Sequence, residues 1–197
     1  MSETHVERRR RLLRDDIGRI AIDMFAERGF DEVTVDDIAE AAGISQRTFF
    51  RYFTSKDSIV LDFARRVDQR LVDAFSARPA NEDAVVALRN AYVETSHVEP
   101  EDRLRIVQIS RVLALTPKLE AMAHGESAQV SDALITKVAK RMGVRPSDQR
   151  ARILVTAATA VVTVEFQRWA DGGGKGDPSE VIAAAFDLLV AGFRSTN

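Results

Sequence analysis

The chain has 197 residues, 45% hydrophobic and 29% charged, with a formal net charge of -2 and no cysteine. This length suits one large or two small soluble domains, and the charge excludes a protein that coats nucleic acid wholesale, so any DNA contact has to come from a local basic surface. Without cysteine there is no disulfide, thiolate zinc site or thiol nucleophile, and with no 18-residue apolar run and no apolar stretch after MSETHVERRRR a cytoplasmic protein with no membrane contact is expected.

Thr4 and Glu7 have capping-box spacing, and Leu13, Ile17, Ile20, Ala21, Met24 and Phe25 give the buried stripe of a helix running to about residue 28. The arginines at 8–11 are the densest positive patch, partly offset by Asp15 and Asp16. They fit either a solvated helix start or an arm reaching DNA backbone or minor groove.

Residues 34–56, TVDDIAEAAGISQRTFFRYFTSK, organise the rest. Thr34 is placed to cap a helix whose third position, Asp37, reaches back, while Val35, Ile38, Ala39 and Ala42 form one apolar face and Gly43 supplies the stop. Ser45 then caps a second helix that is basic and aromatic. Helix, glycine turn, helix is the helix-turn-helix pattern, whose second helix enters the DNA major groove N-terminal end first. Gln46 and Arg47 lie at that end and are the candidates for reading bases, because glutamine pairs two ways with adenine and arginine with guanine. Thr34, Ser45, Thr48, Tyr52 and Lys56 can donate to phosphate oxygens. A small helical hairpin with a solvated basic face fits the same pattern.

Ser55 opens a helix over about 56–75, with Ile59, Val60, Phe63, Val67, Leu71 and Phe75 at helical spacing, and Pro79 breaks the pattern at 77–81. Further helices are expected over 82–96, 102–115 and 117–142, the last ended by Gly143 and loosened by Gly125. Two more, over 146–170 and 179–194, are apolar around most of their circumference; Phe193 belongs to the second stripe. Such helices are buried on two sides. A core covers one side and a second copy of the chain the other, unless both helices lie inside a monomeric core.

No catalytic constellation, cofactor or metal is expected. DGGGKGD at 171–177 lacks phosphate-loop spacing and has Gly176 where a Ser or Thr should follow the lysine; His5, His97 and His124 have no ligand spacing; Asp36 and Asp37 suit a helix dipole better than acid–base work. Phe63, Ile106, Ile109, Leu113, Met122, Leu134, Val155 and Phe166 fit a helical core or the lining of a cavity between helices. Gln108, Arg111, Thr159, Thr163 and Glu165 are polar on otherwise apolar faces and need partners. The candidates for ligand contact are therefore Phe63, Ile109, Arg111, Leu113, Met122, Thr159, Thr163 and Phe166.

Residues 17–63 also resemble the DNA-binding domain of the TetR family of bacterial repressors. The resemblance rests on Phe25, Gly29-Phe30, the Thr34 start, Ala42-Gly43-Ile44-Ser45, Thr48, an aromatic pair, Phe53 and Ser55-Lys56. One departure is Phe50, where many relatives carry a tyrosine whose hydroxyl meets a phosphate. SRVLALTPKL, KVAKRMGV and RARILVTAATAVVTVEFQRWADGG are similar to the mycofactocin-regulator branch, which binds fatty acyl-CoA-like ligands. The resemblance implies an all-α protein of about nine helices, with a three-helix helix-turn-helix domain over 1–55, a connector helix over 56–77 and a ligand-binding and dimerisation domain over 78–197. Its partners would be a double-stranded DNA operator, a second copy of the chain and a small effector such as a fatty acyl-CoA. An activator, a ligand-independent regulator and a helical adaptor share most of these features.

Overall fold

Side-chain caps mark where most of the described helices of this chain begin. The computed structural model describes residues 4–192, with the side chains at 126 and 129 outside the description. Among the described residues it is all-helical, with α1 (His5–Arg28), α2 (Val35–Ala41), α3 (Gln46–Phe50), α4 (Asp57–Ala77), α5 (Ala84–Ser96), a 3-10 turn (Pro100–Asp102), α6 (Arg103–Leu115), α7 (Pro117–Arg141), α8 (Gln149–Asp171) and α9 (Pro178–Ala191). Thr4 with Glu7 and Thr34 with Asp37 form reciprocal capping boxes, and Ser45 accepts the Thr48 amide at 3.2 Å. Asp83, Asp148 and Asp177 cap α5, α8 and α9. These caps correct two expected starts: α5 begins after Asp83 rather than at Glu82, and α8 after Asp148 rather than at Pro146. Gly125 does not interrupt α7, since one glycine costs a helix only about 1 kcal/mol and packed neighbours outweigh it. Phe193 and Arg194 lie outside the described residues.

The chain forms two compact units. One holds the residues up to Phe63 together with Arg105–Met122; the other holds Ala64–Leu104 and the chain from Ala123. The first has a core of Ile17, Ala21 and Phe25 from α1, Ile38 from α2, Phe49 from α3 and Val60 from α4, joined by Ile109, Val112 and Leu119. The second is built around Phe75, Leu88, Tyr92, Val138, Val155, Ala158 and Phe186, with α5 and α8 packed on α9. Burial of these apolar groups is the main favourable term in both. No described helix is long and apolar enough to cross a membrane.

In the second unit the glycine-rich link between α8 and α9 is held at both ends. Trp169 Nε1 donates to the Gly176 carbonyl at 3.2 Å, and the Asp177 carboxylate, while capping α9, pairs with His97 Nδ1 at the end of α5. His97 Nε2 meets Glu99 at 3.3 Å. The hydrogen bond to Asp177, then that to Glu99, raises the His97 pKa above its ordinary 6.5. A raised folded-state pKa means the pair stabilises fully below about 6.5 and is lost as pH rises through the folded value. Melting temperature measured against pH should therefore fall above about 6.5 in the wild type and stay flatter in His97→Gln; an equal fall in both would assign it to other groups.

Candidate nucleic-acid interface

Helix α3 has five residues and is anchored by one of them. Phe49 is fully buried, with its ring 5.8 Å from Phe53 and edge-on to Phe50 at 5.5 Å. Around it Ser45, Gln46, Arg47, Phe50 and Arg51 are exposed. Thr48 and Tyr52 are half-buried. The Ser45 and Thr48 hydroxyls bond each other at 3.0 Å, so both are fixed at the N-terminal end beside the outward-facing Arg47. Gln46 Nε2 donates to the Asp36 carboxylate on α2. Arg51 lies 5.3 Å from the centre of the Tyr52 ring.

At the start of α2, the exposed Thr34 donates its hydroxyl to Asp37 at 2.6 Å and its backbone amide at 2.8 Å. Those two bonds, the hydroxyl's first, hold the Asp37 carboxyl below its ordinary pKa. Lys56 faces inward: Nζ donates to the carbonyls of Phe30, Asp31 and Val33 at 2.7, 3.2 and 2.9 Å and sits 4.5 Å over the Phe30 ring. All three of its donors are engaged within the fold, whereas a phosphate contact would need them turned outward.

Arg14 ties the reader to its frame. It makes a two-pronged bond to Asp62 of α4 at 3.2 and 2.6 Å, donates to the Tyr52 carbonyl at 3.0 Å and stacks 4.7 Å over Phe53. Arg14 escapes a reading of the charge pattern because it looks like the tail of the arginine run. The signal is its register: it falls three and seven residues before Ile17 and Ala21, on the buried stripe of α1. Asp36 escapes because its role depends on a partner in another helix.

The residues weighed as ligand contacts fall in both units. Ile109 is in the core of the first, with Phe63 and Leu113 packed against it; Arg111 and Met122 are exposed. In the second unit Thr159 bonds the Tyr92 hydroxyl at 2.7 Å, Thr163 is exposed and Phe166 packs on Trp169 at 5.2 Å. Burial pushes the Tyr92 pKa up to about 12. Two shallow recesses of the second unit, one against Arg70, Asp73, Ala74 and Thr95 and one around Val144 and Asp148, are lined by other residues. Among the described residues no group of three or more His, Asp or Glu could hold a metal.

Residues 19–63 match the model of the tetR family of bacterial regulatory proteins, and residues 82–194 match that of the MftR C-terminal domain. A Mycobacterium tuberculosis protein named as the mycofactocin biosynthesis transcriptional regulator MftR is 32% identical over 198 residues, covering 99% of this chain and 98% of its own. The transcriptional regulator TcmR of Streptomyces glaucescens is 31% identical over 83% of this chain and 75% of its own. Among solved structures, the fatty acid degradation regulator FadR of Bacillus halodurans superposes with a TM-score of 0.68 at 18% identity, covering 98% and 99% of the two chains. FadR of Thermus thermophilus in complex with lauroyl-CoA superposes with a TM-score of 0.58 at 23% identity, covering 93% and 96%.

The inward placement of Lys56 has a measurable consequence. Lys56→Met should lower the unfolding free energy by about 2 kcal/mol, read from urea denaturation, because three carbonyls lose a charged donor. Unchanged stability with weakened DNA binding would instead make Lys56 a phosphate contact.

Proposed function

The chain belongs to the TetR family of DNA-binding transcriptional regulators, not to an enzyme family, and on that footing we propose that it is a dimeric repressor released from a palindromic operator by an acyl-CoA-like ligand. The observation that carries the DNA-reading part is the N-terminal end of α3: Gln46 and Arg47 are exposed at the start of a helix that buried Phe49 anchors. In this reading Gln46 and Arg47 meet base edges, Ser45, Thr48 and Tyr52 meet phosphates, Thr34 would do so only by releasing a donor now held by Asp37, and exposed Phe50 offers an apolar face to a thymine methyl. The proposed division of the chain is DNA reading in 1–55, on a core that Arg105–Met122 completes, connection in 56–77, and ligand binding and dimerisation in 78–197 outside that stretch, with the cytoplasm as the place of work.

Dimerisation is supported by apolar side chains left uncovered on the last two helices: Ile153 is 55%, Val164 63%, Leu188 52% and Val190 58% exposed. Pairing these faces in a two-fold dimer would set two copies of α3 in successive major grooves, about 34 Å apart, which is why the operator should be a palindrome. The ligand class is supported by the solved neighbour that holds lauroyl-CoA and by the MftR-type second domain. Thr159, Thr163 and Phe166 are the residues of the second unit proposed to contact the ligand. Ligand would favour a state whose two readers are wrongly spaced, by no more than its difference in affinity for the two states. Helix α4, which contributes residues to both units, is the proposed lever.

Three outcomes test this reading. The full chain should bind the DNA just upstream of its own gene in preference to random DNA at the same salt, and a long-chain acyl-CoA should release it; binding indifferent to acyl-CoA would leave an activator or ligand-independent regulator. Arg47→Ala should weaken operator binding by about 1 to 3 kcal/mol and relax specificity at one position, whereas equal loss on random DNA would remove Arg47 from base reading. Leu188→Glu should shift sedimentation from dimer to monomer and reduce operator affinity; an unchanged sedimentation profile would place the dimer contact elsewhere.

A further inference from the structure

We infer that Asp36 on α2 sets which base Gln46 reads, by holding the Gln46 carboxamide in the orientation that leaves Oε1 as its outward acceptor. The inference rests on the DNA-reading role proposed for α3. A glutamine carboxamide has two orientations of nearly equal shape, related by a half-turn, that exchange an acceptor oxygen for a donor nitrogen. Left to itself it can present either end to a base. Adenine offers a donor and an acceptor in the major groove and cytosine a donor, while guanine offers acceptors only, so a carboxamide that flips discriminates poorly.

Here the choice is removed. The Asp36 carboxylate can only accept, and it takes a hydrogen from Gln46 Nε2. The flipped orientation would set Oε1 against the carboxylate, acceptor to acceptor. The bond is charge-assisted, and closure of DNA over it would lower the local dielectric and strengthen it further. What remains for the groove is Oε1 and one Nε2 hydrogen, the complement of the adenine edge. Cytosine satisfies Oε1 through its amino group. Guanine can accept the one Nε2 hydrogen at O6 or N7 but offers no donor there for Oε1, whose lone pairs stay unmet.

The frame that brings Asp36 to Gln46 is fixed independently. The Ile44 amide donates to the Ala39 carbonyl at 2.9 Å across the turn, and Gly43 takes a left-handed φ of 64°, so α2 and α3 hold one register. Of the two aspartates at the start of α2, Asp37 is engaged in the capping box with Thr34, and Asp36 makes the bond that crosses to α3. The helix dipole would be served equally well by either. Asp36 is thus a positioning residue for specificity.

The test is selection from a randomised operator pool with the full chain, followed by sequencing, for the wild type, Asp36→Asn, Asp36→Ala and Gln46→Ala. The position whose preference Gln46→Ala erases is the one Gln46 reads. There the wild type should favour adenine or cytosine over guanine by about tenfold or more. Both Asp36 variants should bring guanine to within about threefold while preferences elsewhere hold, and Asp36→Asn added to Gln46→Ala should change nothing further at that position. A guanine preference in the wild type, an unchanged preference in the Asp36 variants, or equal flattening at every position would each overturn the inference. The last would mark a general effect of charge or folding. No position lost in Gln46→Ala would overturn it while leaving the regulator reading intact; a pool from which the wild type selects no sequence would overturn both.

Discussion

A five-residue helix cannot sustain itself, because the cost of starting a helix is never recovered over one turn. Everything useful about α3 therefore depends on being held from outside. The hold has three parts: the buried Phe49 ring, the Ser45 cap, and Arg14, whose guanidinium joins Asp62 of α4 to the carbonyl of Tyr52 just past the helix end. Arg14 lies in the partly buried setting where a two-pronged arginine–carboxylate pair is most specific in geometry. It fixes orientation, and removing it would also destabilise the fold, since Asp62 would be left an unpaired charge in a partly buried place. Lys56 does the equivalent for the turn between α1 and α2, collecting three carbonyls that no helix satisfies.

The charge distribution follows from this division of labour. A chain with a net charge of -2 cannot be drawn to DNA by its overall field, so affinity has to be concentrated at a few outward cations and hydroxyls. Two of the cations nearest the reader, Arg14 and Lys56, are turned to structural work, and Arg47 and Arg51 stay outward. A site built with few nonspecific contacts relies more on base edges and on symmetry.

How much of this was legible in the sequence depended on the range of the interaction. The reader could be placed from residues 34–56 because caps, apolar spacing and a glycine stop are local, and the matches of residues 19–63 and 82–194 bore out the family resemblance that those same residues carried. Arg14 and Asp62 are 48 residues apart, and no local pattern announces such a pair. Helical periodicity likewise puts Ile109 on an apolar face but does not say against what; it lies in the first core, whose members include Phe25 and Phe49. The same limit applies to the residues weighed for ligand contact, since a helix face lining a tunnel and one lining a packed core have the same spacing.

The placement of residues Arg105–Met122 in the first unit bears on how such regulators diversify. The DNA reader of this chain is not a contiguous block of sequence: Ile109, Val112 and Leu119 close its core from beyond residue 104. Recombination that joined the first 77 residues to a foreign sensor would leave that core open unless the sensor supplied a matching apolar helix. Readers and sensors built on this plan would then be inherited together, and new pairings would arise by gradual substitution within one chain more readily than by exchange of modules.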